Sequence, residues 1–208
     1  MRILGLTGSI GMGKSTAAAM LRRMGVPVHD ADQVVHDLTR QGGRAIPAIK
    51  AAFPDLVSGD SLNRPELSRR AFSDPTILRK LEQILHPLVR AEERRFLARQ
   101  RARGERLVVL DIPLLYETRG EKRCDAVLVV SAPRAVQLQR VLSRPGMSLA
   151  KLKGIEQRQL PDAEKRKRAD VIIPTGRGKR ATWAALKQAV ATCSSPMSSR
   201  VARRLRDG

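Results

Sequence analysis

Short apolar runs alternate with amphipathic stretches along this chain, and the alternation predicts its elements. Ile3–Leu6 is an apolar run closed by Thr7-Gly8 and reads as a buried strand. From Lys14 to Met24 the apolar positions Ala17, Met20, Leu21 and Met24 keep helical spacing, and Gly25 supplies the stop. Val26–His29 reads as a second strand that delivers Asp30-Ala31-Asp32 at its C-terminal end. A helix follows, with Val34, Val35 and Leu38 apolar, as far as Gly42-Gly43.

Residues 46–104 differ. They carry helical patterns and turn signals (Phe53-Pro54-Asp55, Leu62-Asn63-Arg64-Pro65, Ser73-Asp74-Pro75) but no strand, and predict a helical subdomain. Pro87 stands where it opens a long helix through Arg103, ended by Gly104. Leu107–Leu110 is a buried strand ending in Asp111, and Ala126–Val130 is another. Ser131-Ala132-Pro133 opens a helix with Val136, Leu138, Val141 and Leu142 apolar. A basic helical stretch over 148–168 precedes a last strand, Val171–Ile173, and a closing helix near Thr182–Ala191. Strands alternating with helices imply an α/β fold with a parallel sheet covered on both faces.

Composition narrows this picture. A chain of 208 residues suits one α/β domain with a smaller insertion, and 42% hydrophobic with 29% charged residues excludes a wholly disordered polypeptide. No apolar run approaches the ~20 residues of a membrane-spanning helix. The N-terminus lacks a signal-peptide pattern, and two cysteines, Cys124 and Cys193, make neither a disulfide framework nor a zinc site. The expected compartment is the cytoplasm. With 40 Lys and Arg against 20 Asp and Glu, the net charge is +20, which invites a nucleic-acid reading. Aromatic residues are only 2% of the chain, too few for stacking platforms, and the charge is spread along it, so a surface that attracts a polyanionic small molecule is the preferred reading. Residues 194–208, with four arginines against one aspartate, read as a basic flexible tail; an Arg-rich helix docking on an acidic surface is the alternative.

Gly8-Ser9-Ile10-Gly11-Met12-Gly13-Lys14-Ser15 matches G-x-x-x-x-G-K-[ST] in full and lies between a predicted strand and helix. The glycines let successive backbone N–H groups turn inward, and the helix N-terminus adds positive potential. Lys14 reaches the outer phosphates of a nucleotide and the Ser15 hydroxyl suits Mg²⁺. This signature means nucleoside triphosphate binding.

Other candidates are read against it. Asp30 and Asp32 end a strand where ligands bind in a doubly wound sheet; each is either a helix cap or a carboxylate serving the phosphate site. Asp111 ends a strand where a metal-water or substrate carboxylate sits, while Glu117 divides evenly between that role and a structural turn. Arg140 and Arg144, four apart, fall on one helical face and can clamp phosphate bidentately; a solvated basic face is the bland reading. His29, His36 and His86 lack partners at metal spacing and read as capping or packing residues, and Trp183 as packing.

Together these motifs resemble the dephospho-coenzyme A kinase family. The resemblance rests on Leu6–Thr16, Asp30-Ala31-Asp32, Leu62-Asn63-Arg64, Leu81-Glu82 before His86-Pro87, Asp111-Ile112-Pro113-Leu114-Leu115-Tyr116-Glu117, Gln137–Arg144, and Gln159, Lys165 and Ala169–Ile172. It runs in order over residues 1 to about 190. It implies a P-loop NTPase three-layer fold: a domain over 1–193 with its core at about 1–45 and 105–193, a helical substrate subdomain at about 46–104, and a helical lid at about 140–168. It implies ATP-dependent phosphorylation of the ribose 3′-hydroxyl of dephospho-coenzyme A. Carried over by position, Asp32 resembles the general base, Lys14 the phosphate-neutralising lysine and Arg140 the lid-side arginine. ATP is then held by Gly11, Met12, Gly13, Lys14, Ser15, Thr16 and Arg144, and Mg²⁺ by Ser15, with Asp30 or Asp111 helping through water. The substrate-side residues are Asp32, His86, Asp111 and Leu114. The expected partner is dephospho-coenzyme A, without membrane or nucleic acid, on a monomer or small homo-oligomer. Two positions depart from the family pattern: Ser9 replaces the usual second glycine, and Pro174 stands where the family often has Asp or Asn.

Overall fold

The computed structural model describes residues 1–194, so the basic stretch at 194–208 lies, from residue 195 onward, outside the described residues. Its elements are β1 (Arg2–Thr7), α1 (Lys14–Arg23), β2 (Val28–Asp30), α2 (Ala31–Thr39), α3 (Ile46–Ala52), β3 (Val57–Ser58), β4 (Ser61–Leu62), α4 (Arg64–Ser73) and α5 (Pro75–Ala102). There follow β5 (Leu107–Asp111), β6 (Ala126–Ser131), α6 (Arg134–Leu142), α7 (Leu149–Glu156), α8 (Asp162–Lys167), β7 (Val171–Pro174) and α9 (Lys179–Ser194). They fall into two compact units, Met1–His29 with the chain from Gln100 onward, and Asp30–Arg99.

The first unit is built on a five-stranded sheet in the order β2-β5-β1-β6-β7. β1 pairs parallel with both β5 and β6, and β6 parallel with β7. Because side chains alternate across a strand, the apolar runs cover both faces. Leu4 and Leu6 of β1, Leu128 and Val130 of β6 and Ile173 of β7 pack with Leu21 of α1 and Leu186 of α9. On the opposite face Val127 and Val129 pack with Leu115 and Tyr116. Trp183 lies against the first of these clusters, with the Arg23 guanidinium 5.6 Å from its ring centre. Pro174, which cannot donate to a ladder, is tolerated because β7 is an edge strand.

In the second unit Leu38, Ile46, Ile49, Phe53, Leu56, Leu67 and Leu85 form a separate core. Three elements differ from the sequence expectation. A small antiparallel hairpin, β3–β4, pairs Val57 with Leu62 and Ser58 with Ser61 where no strand was predicted. Two-residue strands around Gly59-Asp60 are too short to leave a periodic signature. The long helix opens at Pro75 rather than Pro87, because the Asp74 carboxylate caps it by accepting from Thr76 N and Thr76 Oγ1, both at 2.7 Å. Pro87 is therefore an interior proline, and the helix runs through it because Leu81, Ile84, Leu85, Leu88 and Val89 on either side all pack on the unit's core. The basic stretch at 148–168 is likewise two short helices, α7 and α8, parted before Pro161, which takes the N-cap position of α8. Among the described residues no helix is long and apolar enough to cross a membrane.

Candidate active site

β1 delivers the chain into the glycine-rich bend, and the bend turns directly into α1. Gly11 and Gly13 have φ of 77° and 89°, left-handed values that favour glycine. Space forbids a side chain at Gly11 as well: a Cβ there would lie 2.6 Å from Val141 Cγ2. Ala17 N, on Gly13 O at 3.1 Å, is the first amide of this turn to bond a carbonyl four residues back. The amides of Ser15 and Thr16 before it have no such intrahelical acceptor and stand at the positive end of the helix dipole, a geometry made for phosphate oxygens. Both side chains are exposed, as a metal- or phosphate-binding hydroxyl must be.

The bend is tied down from three directions. Gln137 Nε2 of α6 donates to Ile10 O at 2.8 Å, and Ile10 N donates to Gln159 Oε1 at 3.0 Å. Thr175, just past β7 and almost fully buried, donates its hydroxyl to Met12 O at 2.7 Å. Arg140 leans on the same threonine: Nη2 donates to Thr175 O at 2.7 Å, and Nη1 to Thr175 Oγ1 at 3.1 Å and to Gly11 O at 3.4 Å. The guanidinium is thus held beside the bend by acceptors on both sides of it, its charge available to an anion there. Lys14 Nζ lies 2.8 Å from Asp111 Oδ1, and the Asp111 side chain is 1% exposed.

The structure brings Lys14, Asp111, Arg140 and the bend together in the first unit. It does not support the shared helical face of Arg140 and Arg144. α6 ends at Leu142, Ser143 is its C-cap, and Arg144 follows in an exposed bend. Arg144 cannot share the helical face of Arg140 because α6 ends at Leu142, two residues before it. Leu142, the last residue of α6 and read as part of an apolar face, is 42% exposed. Leu114 is half-buried in the turn after Asp111, where its carbonyl accepts from Thr118 N at 3.1 Å and Thr118 Oγ1 at 2.7 Å.

The remaining candidates belong to the second unit. Asp30 is the N-cap of α2, its Oδ1 accepting from Gln33 N at 3.1 Å, which shows the cap and leaves a second role at the phosphate site untested. Asp32 sits in the first turn of that helix with its side chain exposed. His86 lies within α5 and is exposed, neither a cap nor a packing residue as expected from sequence. Gln137, Gln159 and Thr175 carry no role that their sequence context assigns. The two glutamines stand among the residues that carry the family resemblance, whereas Thr175 leaves no signal beyond its place after the last strand.

The family model described as "CoaE: Dephospho-CoA kinase" matches residues 2–179. The chain belongs to this family. A dephospho-CoA kinase of Paramagnetospirillum magneticum is 60% identical over 166 residues, spanning 80% of this chain and 78% of that one. Its counterpart in Mesorhizobium japonicum is 54% identical over 88% of this chain and 92% of the relative. Among solved structures, TT1252 from Thermus thermophilus superposes with a TM-score of 0.79 at 38% identity, covering 91% of this chain and 96% of the other. The dephospho-CoA kinase from Campylobacter jejuni, at 22% identity and a TM-score of 0.70 over 93% of this chain and 98% of its own, shares the fold. Family membership makes the chain a nucleotide-using phosphotransferase of coenzyme A synthesis, built on a P-loop kinase α/β fold.

Proposed function

We propose that the chain transfers the γ-phosphoryl group of ATP to the ribose 3′-hydroxyl of dephospho-coenzyme A, giving coenzyme A and ADP in the final step of coenzyme A synthesis. The observation that carries the residue assignments is the left-handed bend over Gly11 and Gly13, with Lys14 at its end and Arg140 anchored beside it. Backbone amides of Gly11 to Thr16 hold the phosphates, and Lys14 neutralises their outer oxygens. Asp32 accepts the proton of the 3′-hydroxyl as its oxygen attacks phosphorus in line, and the bond from phosphorus to the bridging oxygen breaks to release ADP. Arg140, with Arg144 in support, neutralises charge on the transferring group. His86, Asp111 and Leu114 are assigned to the substrate side.

The donor set suits Mg²⁺. Ser15 offers an exposed hydroxyl and Asp111 a carboxylate, with Asp30 as a second acid acting through water. Among the described residues no cluster of three or more His, Cys, Asp or Glu forms a complete cage. Mg²⁺ characteristically takes one or two protein oxygens and fills its shell with water and phosphate oxygens. Held by these residues, Mg²⁺ would supply positive charge that offsets the charge of the nucleotide phosphates. Residues 140–168 act as a lid, residues 46–104 supply the substrate-binding helices, and the chain works in the cytoplasm as a monomer or small homo-oligomer. Nucleic acid is not its partner.

An ATP-consumption assay over a panel of acceptors tests this reading. Turnover with dephospho-coenzyme A, and none with nucleoside monophosphates or shikimate, is the expected pattern. Turnover with a monophosphate and not with dephospho-coenzyme A would overturn it.

A further inference from the structure

Among the described residues Lys165 is the largest fully buried side chain, at 0% exposure, and the proposed chemistry makes no use of it. Its Nζ lies 2.9 Å from Glu117 Oε1 and donates to Pro113 O at 3.3 Å. The same Glu117 oxygen accepts from Leu160 N at 2.7 Å, while Glu117 Oε2 is buried with no hydrogen-bond partner among the described residues. Taking an ammonium and a carboxylate out of water is costly, and an unsatisfied carboxylate oxygen adds to the cost. Replacing a buried ion pair by apolar side chains of similar volume is often neutral or stabilising.

What the pair achieves is placement. Pro113 O, its second acceptor, also takes the hydroxyl of Thr7 at 2.9 Å, and Thr7 is the last residue of β1 before the glycine-rich bend. Pro113 stands two residues after Asp111, the partner of Lys14. Leu160 follows Gln159, whose side chain holds Ile10 N of the bend. One buried ion pair therefore gathers the entry to the bend, the end of β5 and the segment that grips the bend's tip.

We infer that Lys165 and Glu117 are positioning residues, which hold the phosphate-binding bend and the Asp111 turn in the geometry that phosphoryl transfer needs. The inference rests on the assignment of Gly8–Ser15 to ATP. Misplacement of reacting groups by about an ångström costs on the order of 100-fold in rate, so a loss of about 10- to 100-fold in kcat is expected when the pair is removed.

The test uses Lys165→Met, Glu117→Leu and the double variant, with thermal midpoints measured beside kcat and KM. Each single change leaves a buried charge without its partner and lowers the midpoint; the double change restores it. The positioning role predicts that kcat of the double variant stays about 10- to 100-fold down although its stability has returned, and that amide exchange at Ile10 quickens while exchange in β6 does not. A double variant with wild-type kcat and KM overturns the inference, because a purely structural pair would be rescued along with the fold. Should the double variant not fold, Glu117→Gln decides. It keeps an oxygen for Leu160 N and loses only the charge. Faster Ile10 exchange with lower kcat supports the inference, and wild-type values for both overturn it. Lys14→Met in the same assays separates the two readings. Wild-type turnover by that variant means the ATP assignment has failed, whereas an inactive Lys14→Met beside a fully active double variant removes the positioning role alone.

Discussion

Lys14 Nζ and Asp111 Oδ1 form an ion pair of 2.8 Å at the C-terminal ends of two adjacent parallel strands, β1 and β5, where Asp111 lies in register with Leu6. The lysine at the end of the glycine-rich bend thus has a defined position set by the neighbouring strand. The carboxylate is almost fully buried, so its loss is felt both in stability and in placement of the lysine.

Asp111→Asn keeps the shape and removes the charge. It is expected to destabilise the fold by about 1–3 kcal/mol, the usual cost of a buried charged hydrogen bond. Turnover is expected to fall as well, on the order of 10-fold or more, as Lys14 loses its anchor. Denaturant unfolding and steady-state kinetics on the same preparation check both. An unchanged unfolding midpoint with unchanged turnover would show that the pair contributes to neither.

Thr175→Val removes one hydroxyl with little change of shape. Met12 O loses its donor and Arg140 Nη1 loses an acceptor. About 1–2 kcal/mol of stability should go, with KM for ATP raised several-fold while KM for dephospho-coenzyme A stays at its wild-type value. Equal rises in both KM values would mean that Thr175 acts on the fold as a whole rather than on the nucleotide site.

The acid limb of stability carries a signature in the second unit. Glu66 accepts from Arg69 Nε and Nη2 and from Arg70 Nε, at 2.8, 2.6 and 2.8 Å. These guanidiniums, Arg69 first, hold its carboxyl at about 2 instead of the ordinary 4.5. A carboxyl depressed on folding stabilises above its unfolded value and loses that contribution as pH falls through its folded one. The stability difference between wild type and Glu66→Gln should therefore be full at pH 6, shrink below about 4.5, and close near pH 2. The site is open to solvent, so the difference is small and declines with added salt. A gap that is constant from pH 6 to pH 2 would contradict the assignment.

Much of this architecture is legible in the chain because parallel strands buried on both faces are near-continuous apolar runs. Ile3–Leu6, Leu107–Leu110 and Ala126–Val130 are such runs, and each is a strand. The bend is legible because phosphate binding constrains several consecutive residue types at once. Elements set by only two or three contacts are not legible. The β3–β4 hairpin has four paired residues and no period. The start of α5 turns on one carboxylate, Asp74, and a proline at Pro87 looks the same in sequence whether it opens a helix or is carried within one. Arg140 was readable as a cation near the bend. Its anchor on Thr175 was not, since nothing local ties residue 175 to residue 140 before the sheet brings β7 beside β6.

In the proposed reaction a main-chain phosphate grip works with an acid that readies the acceptor alcohol. Asp32→Asn tests it most directly, with turnover of dephospho-coenzyme A and calorimetric ATP affinity measured together. A folded variant with wild-type ATP affinity and turnover lowered on the order of 10²- to 10⁴-fold, the usual worth of a general base, is expected. Wild-type turnover in that variant would contradict it.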